Sequence, residues 1–354
     1  MNRFEERLNK LKAKFAKAGI NGLYITQTAN VSYFTGHAGN DCILFVTADK
    51  TYILSDFRYL EMVQSITWME YVDVLKTEPS DFLASCGEKR IGVETDYLPL
   101  GQYLNFRKKM PSKEFVPVKG LVEELRMIKD EYEIESTRKA AVIGNKTFTH
   151  MCEFIKPGMT EKEISAELGH YMMVCGAEGL SFSTIVASGP NGSKPHAVPS
   201  ERRVQKGDFI TMDYGCLYEG YCSDMTRTVA LGEPTQEMRD VYNIVLEAQT
   251  ACCSYVKAGI TGIEGDKIAR DVIEKAGYGE YFGHGTGHGT GLEIHELPRL
   301  APKYAGVIPE NATTSVEPGI YLPGKFGVRI EDLAIVKANG IINLVDAPKE
   351  LTVL

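Results

Sequence analysis

No run of apolar residues in this chain approaches the roughly 18–20 needed to span a bilayer, so a membrane-spanning helix is not expected. Positive charge is not in excess either. Lys and Arg total 39 against 47 Asp and Glu, a net charge of −8, which disfavours nucleic acid and anionic membranes as partners. The eight cysteines include no CxxC pair and are too sparse for a secreted disulfide scaffold; they read as reduced, mostly buried thiols. The N-terminal third carries no GxGxxG, which leaves a dinucleotide site there without support. HExxH is missing as well: Arg299 stands where a second histidine would follow His295-Glu296, and a zincin helix is excluded. The single tryptophan, Trp68, fits packing better than recognition. The first residues, MNRFEERLNKLKAKFAKAG, mix acids with bases and place Phe4, Leu8, Leu11, Phe15 and Ala18 on one helical stripe. That is unlike a signal peptide and points to the cytoplasm.

What remains is a globular composition over 354 residues, enough for two domains. Residues 1–122 alternate strand-like and helical pieces and predict an α/β domain. The strands are expected at 22–26, 42–46, 51–55, 70–75, 90–94 and 114–118, with helices near 57–66, 80–86 and 99–108. Asp56 and Arg58 read as a helix cap and a surface charge. Residues 123–354 form the second expected domain, entered by a long helix over about 130–155.

That second part repeats internally. KPGMTEKE (156–163) recurs as KAGITGIE (257–264), each with the Thr and Glu spacing of a helix-capping box. Gly176 and Gly277 end the two helices at the same offset. Downstream, TMDYG (211–215) pairs with SVEPG (315–319), and CSDMTRT (222–228) with VRIED (328–332). Each copy thereby contributes two acids, Asp213 and Asp224 from the first, Glu317 and Glu331 from the second. Such a duplication implies a pseudo-twofold arrangement with the acids meeting near its axis.

His288 joins these four carboxylates from the run GHGTGHGTG (283–291), where alternating glycines mark close approach of another backbone or a ligand. One imidazole among four carboxylates suits manganese, cobalt or iron better than a thiolate-rich zinc site. Cys216 and Cys222, though near in sequence, are too soft for it. With Glu219-Gly220 as a two-residue turn, Asp213 falls opposite Thr226, and Asp224 shares that face. The loop at Pro323-Gly324-Lys325 leaves the parity of the glutamates open. Glu331 and Asp332 are neighbours on a strand and face opposite ways, so one of them is the ligand. Arg329 shares the Glu331 face. His196, in the turn-rich SGPNGSKPHAVPS, holds about the place in the first copy that His295 holds in the second. His150 and His170 sit on expected helices and read as structural.

The motifs MDYG, CSDMTRT, GHGTGHGTGLEIHE, SVEPGIYLPG and GVRIED are similar to those of the pita-bread metallopeptidase family over residues 126–354. Its members include Xaa-Pro dipeptidase (prolidase), aminopeptidase P, methionine aminopeptidase and creatinase. The first 120 residues resemble the extra α/β domain of the prolidase, aminopeptidase P and creatinase branch. The resemblance implies an α+β fold class: a C-terminal pita-bread domain with a pseudo-twofold repeat, behind a smaller creatinase-like α/β domain. It implies two divalent metal ions, foremost Mn2+ with Co2+ or Zn2+ as alternatives. Asp213 and Asp224 would bind one, His288 and Glu317 would complete the other, and Asp224 and Glu331 would bridge them. By the same resemblance His196 and His295 face the substrate, Arg329 lies near the bridging glutamate and His284 stands just outside the ligand set.

The expected activity is hydrolysis of the Xaa-Pro bond at the N-terminus of dipeptides or short peptides, by a chain that is commonly a homodimer in this family. Glu317, His295 and His196 are the expected catalytic groups; Arg299, Arg329 and His284 are the expected substrate contacts, Arg299 as an anchor for a free carboxylate. A creatinase-like hydrolase or a metal-binding interaction protein is the alternative, disfavoured because all five ligands are present. Two departures from the family pattern, His37 and Lys194, bear on the substrate pocket.

Overall fold

The β-branched and aromatic runs of the first third become strands of one sheet. The computed structural model describes residues 2–36 and 41–354, so His37 lies outside the described residues. The chain separates into two units, Met1–Arg126 and Met127–Leu354. In the first unit six strands stand in the order Glu70–Asp73, Thr51–Ser55, Ile43–Thr47, Gly22–Ile25, Arg90–Glu94 and Glu114–Val118. Ile43–Thr47 runs antiparallel to both of its neighbours and the other three pairings are parallel. Tyr24, Phe45, Leu54, Ile91, Phe106 and Phe115 gather into its core.

Two local outcomes differ from the periodicity. The N-terminal stripe is carried by two helices, Arg3–Lys12 and Phe15–Ala18, rather than one. A further helix, Thr28–Thr35, has no counterpart in the sequence reading. Ala29, Asn30, Val31, Tyr33, Phe34 and Thr35 are all buried and only Thr28 and Ser32 are partly exposed, too narrow a polar face to produce a 3.6-residue signal. Trp68 stacks on Phe4 and donates to the Phe34 carbonyl.

In the second unit the repeat is explicit. Helices Glu131–Phe154 and Glu161–Val174 are matched by Gln236–Tyr255 and Gly262–Lys275. Thr160 with Glu163 and Thr261 with Glu264 form capping boxes in which side chain and backbone bond reciprocally. Gly176 and Gly277 follow at φ 100° and 87°, the left-handed geometry that glycine supplies past a helix end. Ile164, Leu168 and Met172 cluster with Val186, Ile210 and Met212. Val245, Ala248 and Ile273 do the same with Val316, Ile320 and Val328.

Two interrupted hairpins carry the acids. Phe209–Tyr214 pairs with Met225–Ala230, setting Asp213 opposite Thr226. The register continues through Cys216–Tyr218 and Tyr221–Cys222 to Glu219 and Gly220, at φ 48° and 78°. Positive φ at both turn residues is the type I′ geometry that matches strand twist. In the second copy Thr313–Val316 pairs with Asp332–Lys337, and Gly319–Leu322 with Phe326–Arg329. That constant register sets Glu317 opposite Glu331. The ladder lapses at residues 215 and 223–224 in one copy and at 317–318 and 330–331 in the other. Asp224, Glu317 and Glu331 therefore sit at the lapses. The strand Gly287–Gly289 pairs with Glu296–Leu300. Cβ atoms at Gly287 and Gly289 would lie 2.0 Å from the Ser315 carbonyl and 2.3 Å from that of Leu297, so only glycine permits these backbones to approach.

Among the described residues no helix is long and apolar enough to cross a membrane, and all eight cysteines are free.

Candidate active site

The hairpin lapses open onto one cavity of about 500 Å3. Asp213, Asp224, His288, Glu317 and Glu331 line it, and so do His196, His284, His295, Arg299 and Arg329. The fold thus brings together ten residues spread from position 196 to position 331. Phe182, Ile185 and Ile294 add an apolar wall. Lys194 is not among the lining residues; its ammonium donates to Asn191 at 3.2 Å.

At the floor, ligand atoms of Asp224, His288 and Glu331 all lie within 4.8 Å of one another. His288 Nδ1 donates to the Gly289 carbonyl at 3.1 Å, which turns Nε2 toward the carboxylates. Nε2 is 3.3 Å from Glu317 and 3.6 Å from Asp224. Glu331 accepts from Thr226 Oγ1 at 2.7 Å, and Glu317 from Ser315 Oγ at 3.2 Å. Asp213 is drawn aside: Arg329 Nη2 donates to its Oδ2 at 2.5 Å. Asp213 Oδ1 and Glu331 Oε1 are buried without a hydrogen-bond donor. Buried carboxylate oxygens left unpaired are costly, and a cation is the partner that satisfies several at once. The donor set, oxygens with one imidazole, fits a hard or borderline divalent ion.

Adjacent acids part as the strand parity requires. Glu331 faces the cavity, whereas Asp332 points into a separate buried network with Arg227, Gln249, Asn343 and Lys349.

The charges hold one another in place. Burial raises the carboxyls of Asp213, Asp224 and Glu331 above the usual range, and mutual repulsion adds to the rise for Asp224 and Glu331. Burial also favours neutral His288, yet its hydrogen bond to Glu317 and the nearby negative charges lift it to about 9. Glu317 feels the same burial, but the His288 bond and charge hold it at about 2. Burial and the neighbouring His288 charge push His295 down; the two rings meet edge to face at 4.5 Å.

Several supporting residues carried no sequence signal. Tyr321 Oη accepts from Arg329 Nη1 and bonds His284 Nε2, both at 2.9 Å. His284 Nδ1 donates to the Gly285 carbonyl, so both ring nitrogens of this expected substrate contact face protein partners. Arg329 also reaches Thr226 Oγ1 and the Pro195 carbonyl. Lys129 and Glu296 form a buried ion pair of 2.7 Å beside His295.

Comparison with known proteins finds similarity over nearly the whole chain. Residues 135–338 match the model of metallopeptidase family M24, and residues 7–128 match that of the creatinase/prolidase N-terminal domain. A Xaa-Pro dipeptidase of Pyrococcus horikoshii is 37% identical over 99% of this chain and 100% of its own. The solved Xaa-Pro dipeptidase from Bacillus anthracis superposes with a TM-score of 0.96 at 41% identity, covering 99% of this chain and 100% of the other. An X-Pro aminopeptidase structure from Thermotoga maritima gives 0.89 at 37% identity, over 97% of this chain and 100% of the other.

Proposed function

Because the chain belongs to metallopeptidase family M24, we propose that it hydrolyses the Xaa-Pro bond of dipeptides, with two divalent cations, manganese foremost. The observation that carries this reading is the single cavity that joins the acid and histidine set to Arg299. Asp213, Asp224, His288, Glu317 and Glu331 would hold the cations, and the two donorless buried oxygens support that assignment. Bound there, the cations would lower the pKa of water and polarise the scissile carbonyl.

The protein groups do the rest. Proline fixes φ and offers no amide N–H, so a peptide held as an extended strand presents this bond poorly. A shaped cleft replaces strand pairing. Arg299, exposed in the cavity wall, pairs with the free carboxylate of the proline. His196 holds the substrate, and His295 donates to the oxygen that gains charge as water attacks. Glu317 accepts the water proton and passes it to the leaving proline nitrogen. Arg329 and His284, tied to Tyr321, brace the carboxylates.

The test compares Xaa-Pro with Xaa-Pro-Xaa peptides in manganese, cobalt and zinc. Cleavage confined to the dipeptide is expected. Cleavage of the longer peptide would make the enzyme an aminopeptidase P, and cleavage of neither with cation bound would overturn the substrate class.

A further inference from the structure

The loop that carries His196 is held by a carboxylate with no place in the chemistry above. Glu161 is the first residue of the helix Glu161–Val174 and is fully buried. Its Oε1 accepts from Ser188 N at 2.6 Å and Ser188 Oγ at 2.7 Å. Its Oε2 accepts from Asn191 Nδ2 at 2.8 Å, Ser200 N at 3.0 Å and Ser200 Oγ at 2.6 Å. Five donors from both feet and the interior of one loop converge on a single side chain. The helix backbone adds to the hold: Glu161 N and Lys162 N donate to the carbonyls of Arg202 and Ser200. On the loop's other side, Arg329 donates to the Pro195 carbonyl and Gly324 N to Ser193 Oγ. His196 itself is exposed within the cavity lining.

The second copy of the repeat lacks this device. Gly262 occupies the position of Glu161, and a Cβ there would lie 2.0 Å from the Arg299 carbonyl. Beside His295 stands the Lys129–Glu296 pair instead.

We infer that Glu161 is a positioning residue for His196: it closes residues 188–200 into one conformation and so keeps the imidazole at the substrate. The catalytic part of this inference rests on the substrate reading above. Glutamine has nearly the same shape but accepts on one oxygen only. Its amide would face donors, so either the Ser188 foot or the Asn191–Ser200 side must lose its partners.

The experiment uses the full chain as wild type, Glu161→Gln, His196→Ala and the double variant. In the zinc-loaded, diamagnetic form with 13C-labelled histidine, wild-type His196 should give one sharp Cε1–H resonance. Glu161→Gln should broaden or split it, with His150 unchanged. In the manganese-loaded enzyme Glu161→Gln should lower kcat/KM on a Xaa-Pro dipeptide by about 10- to 100-fold. It should cost less than about twofold when His196 is already alanine, at unchanged manganese content. A wild-type His196 signal in Glu161→Gln, or full multiplication of the two losses, overturns the inference. Should the wild type cut no Xaa-Pro peptide, the substrate reading fails on its own. The resonance then judges the clamp: splitting upholds it and an unchanged line overturns it.

Discussion

At the scale of single residues, the site is a set of charges that only make sense together. Asp224 and Glu331 are buried carboxylates raised by burial and by the neighbouring acids, Asp213 and Glu317 for Asp224, and Asp224, Glu317 and Asp213 for Glu331. Asp224→Asn or Glu331→Gln should cut cation-dependent turnover by more than about 100-fold. Relief of repulsion should leave the cation-free melting temperature equal or higher. Full turnover by either variant in chelator-treated buffer would sink the dimetal assignment. Arg299→Ala should raise KM for a Xaa-Pro dipeptide by at least about tenfold, the worth of a charged hydrogen bond, and leave the Xaa-Pro amide unaffected. Equal losses on both substrates would remove Arg299 from carboxylate recognition. The candidate ligands were legible because strongly polar types stood in glycine-marked stretches, in the same order in both copies. Tyr321 and Thr226 were not: a hydroxyl on a strand is common, and what distinguishes these two is Arg329, which meets Tyr321 across its own hairpin and Thr226 from 103 residues away.

Among the elements, the first hairpin could be read in full because a two-residue turn leaves one register. The second could not, since a three-residue loop accommodates more than one; the ladder itself sets Glu317 opposite Glu331. Helix Thr28–Thr35 was invisible because burial of all but Thr28 and Ser32 erases its period. The buried network behind Glu331 is likewise a product of folding, joining Arg227 to Asp332 across 105 residues. Burial alone would raise Asp332, but the charges of Arg227 and Lys349 hold its carboxyl below the usual range. A folded-state value below the unfolded one gives stability that is present above about pH 4 and lost as pH falls through the lower folded value. Asp332→Ala, which strands Arg227 without its partner, should cost about 3–5 kcal/mol in denaturant unfolding at pH 7. Asp332→Asn should flatten the acid limb of the stability curve; an unchanged limb would assign that slope to other groups.

For the whole molecule, all ten site residues belong to Met127–Leu354. Cation binding should stabilise that unit, by about 2.7 kcal/mol at a hundredfold excess over Kd. Hydrogen exchange should show the gain in residues 127–354, and protection confined to residues 2–126 would contradict it. His288, lifted to about 9, carries a proton near neutrality that a cation must displace, and the upward shifts of Asp213, Asp224 and Glu331 act in the same direction. Affinity should therefore rise with pH through the neutral range, with proton release visible by calorimetry in buffers of different ionisation enthalpy. Buffer-independent heats would refute the displacement.

The contrast between Glu161 and Gly262 makes the two copies non-interchangeable. Their second helices share a capping box and a length of 14 residues, and the acids keep the same order. Glutamate at 262 would drive a side chain into the Arg299 carbonyl, and glycine at 161 would release the His196 loop. A chimera that replaced either copy by the other would fail at this position, so the duplication has become asymmetric at the root of its matching helices.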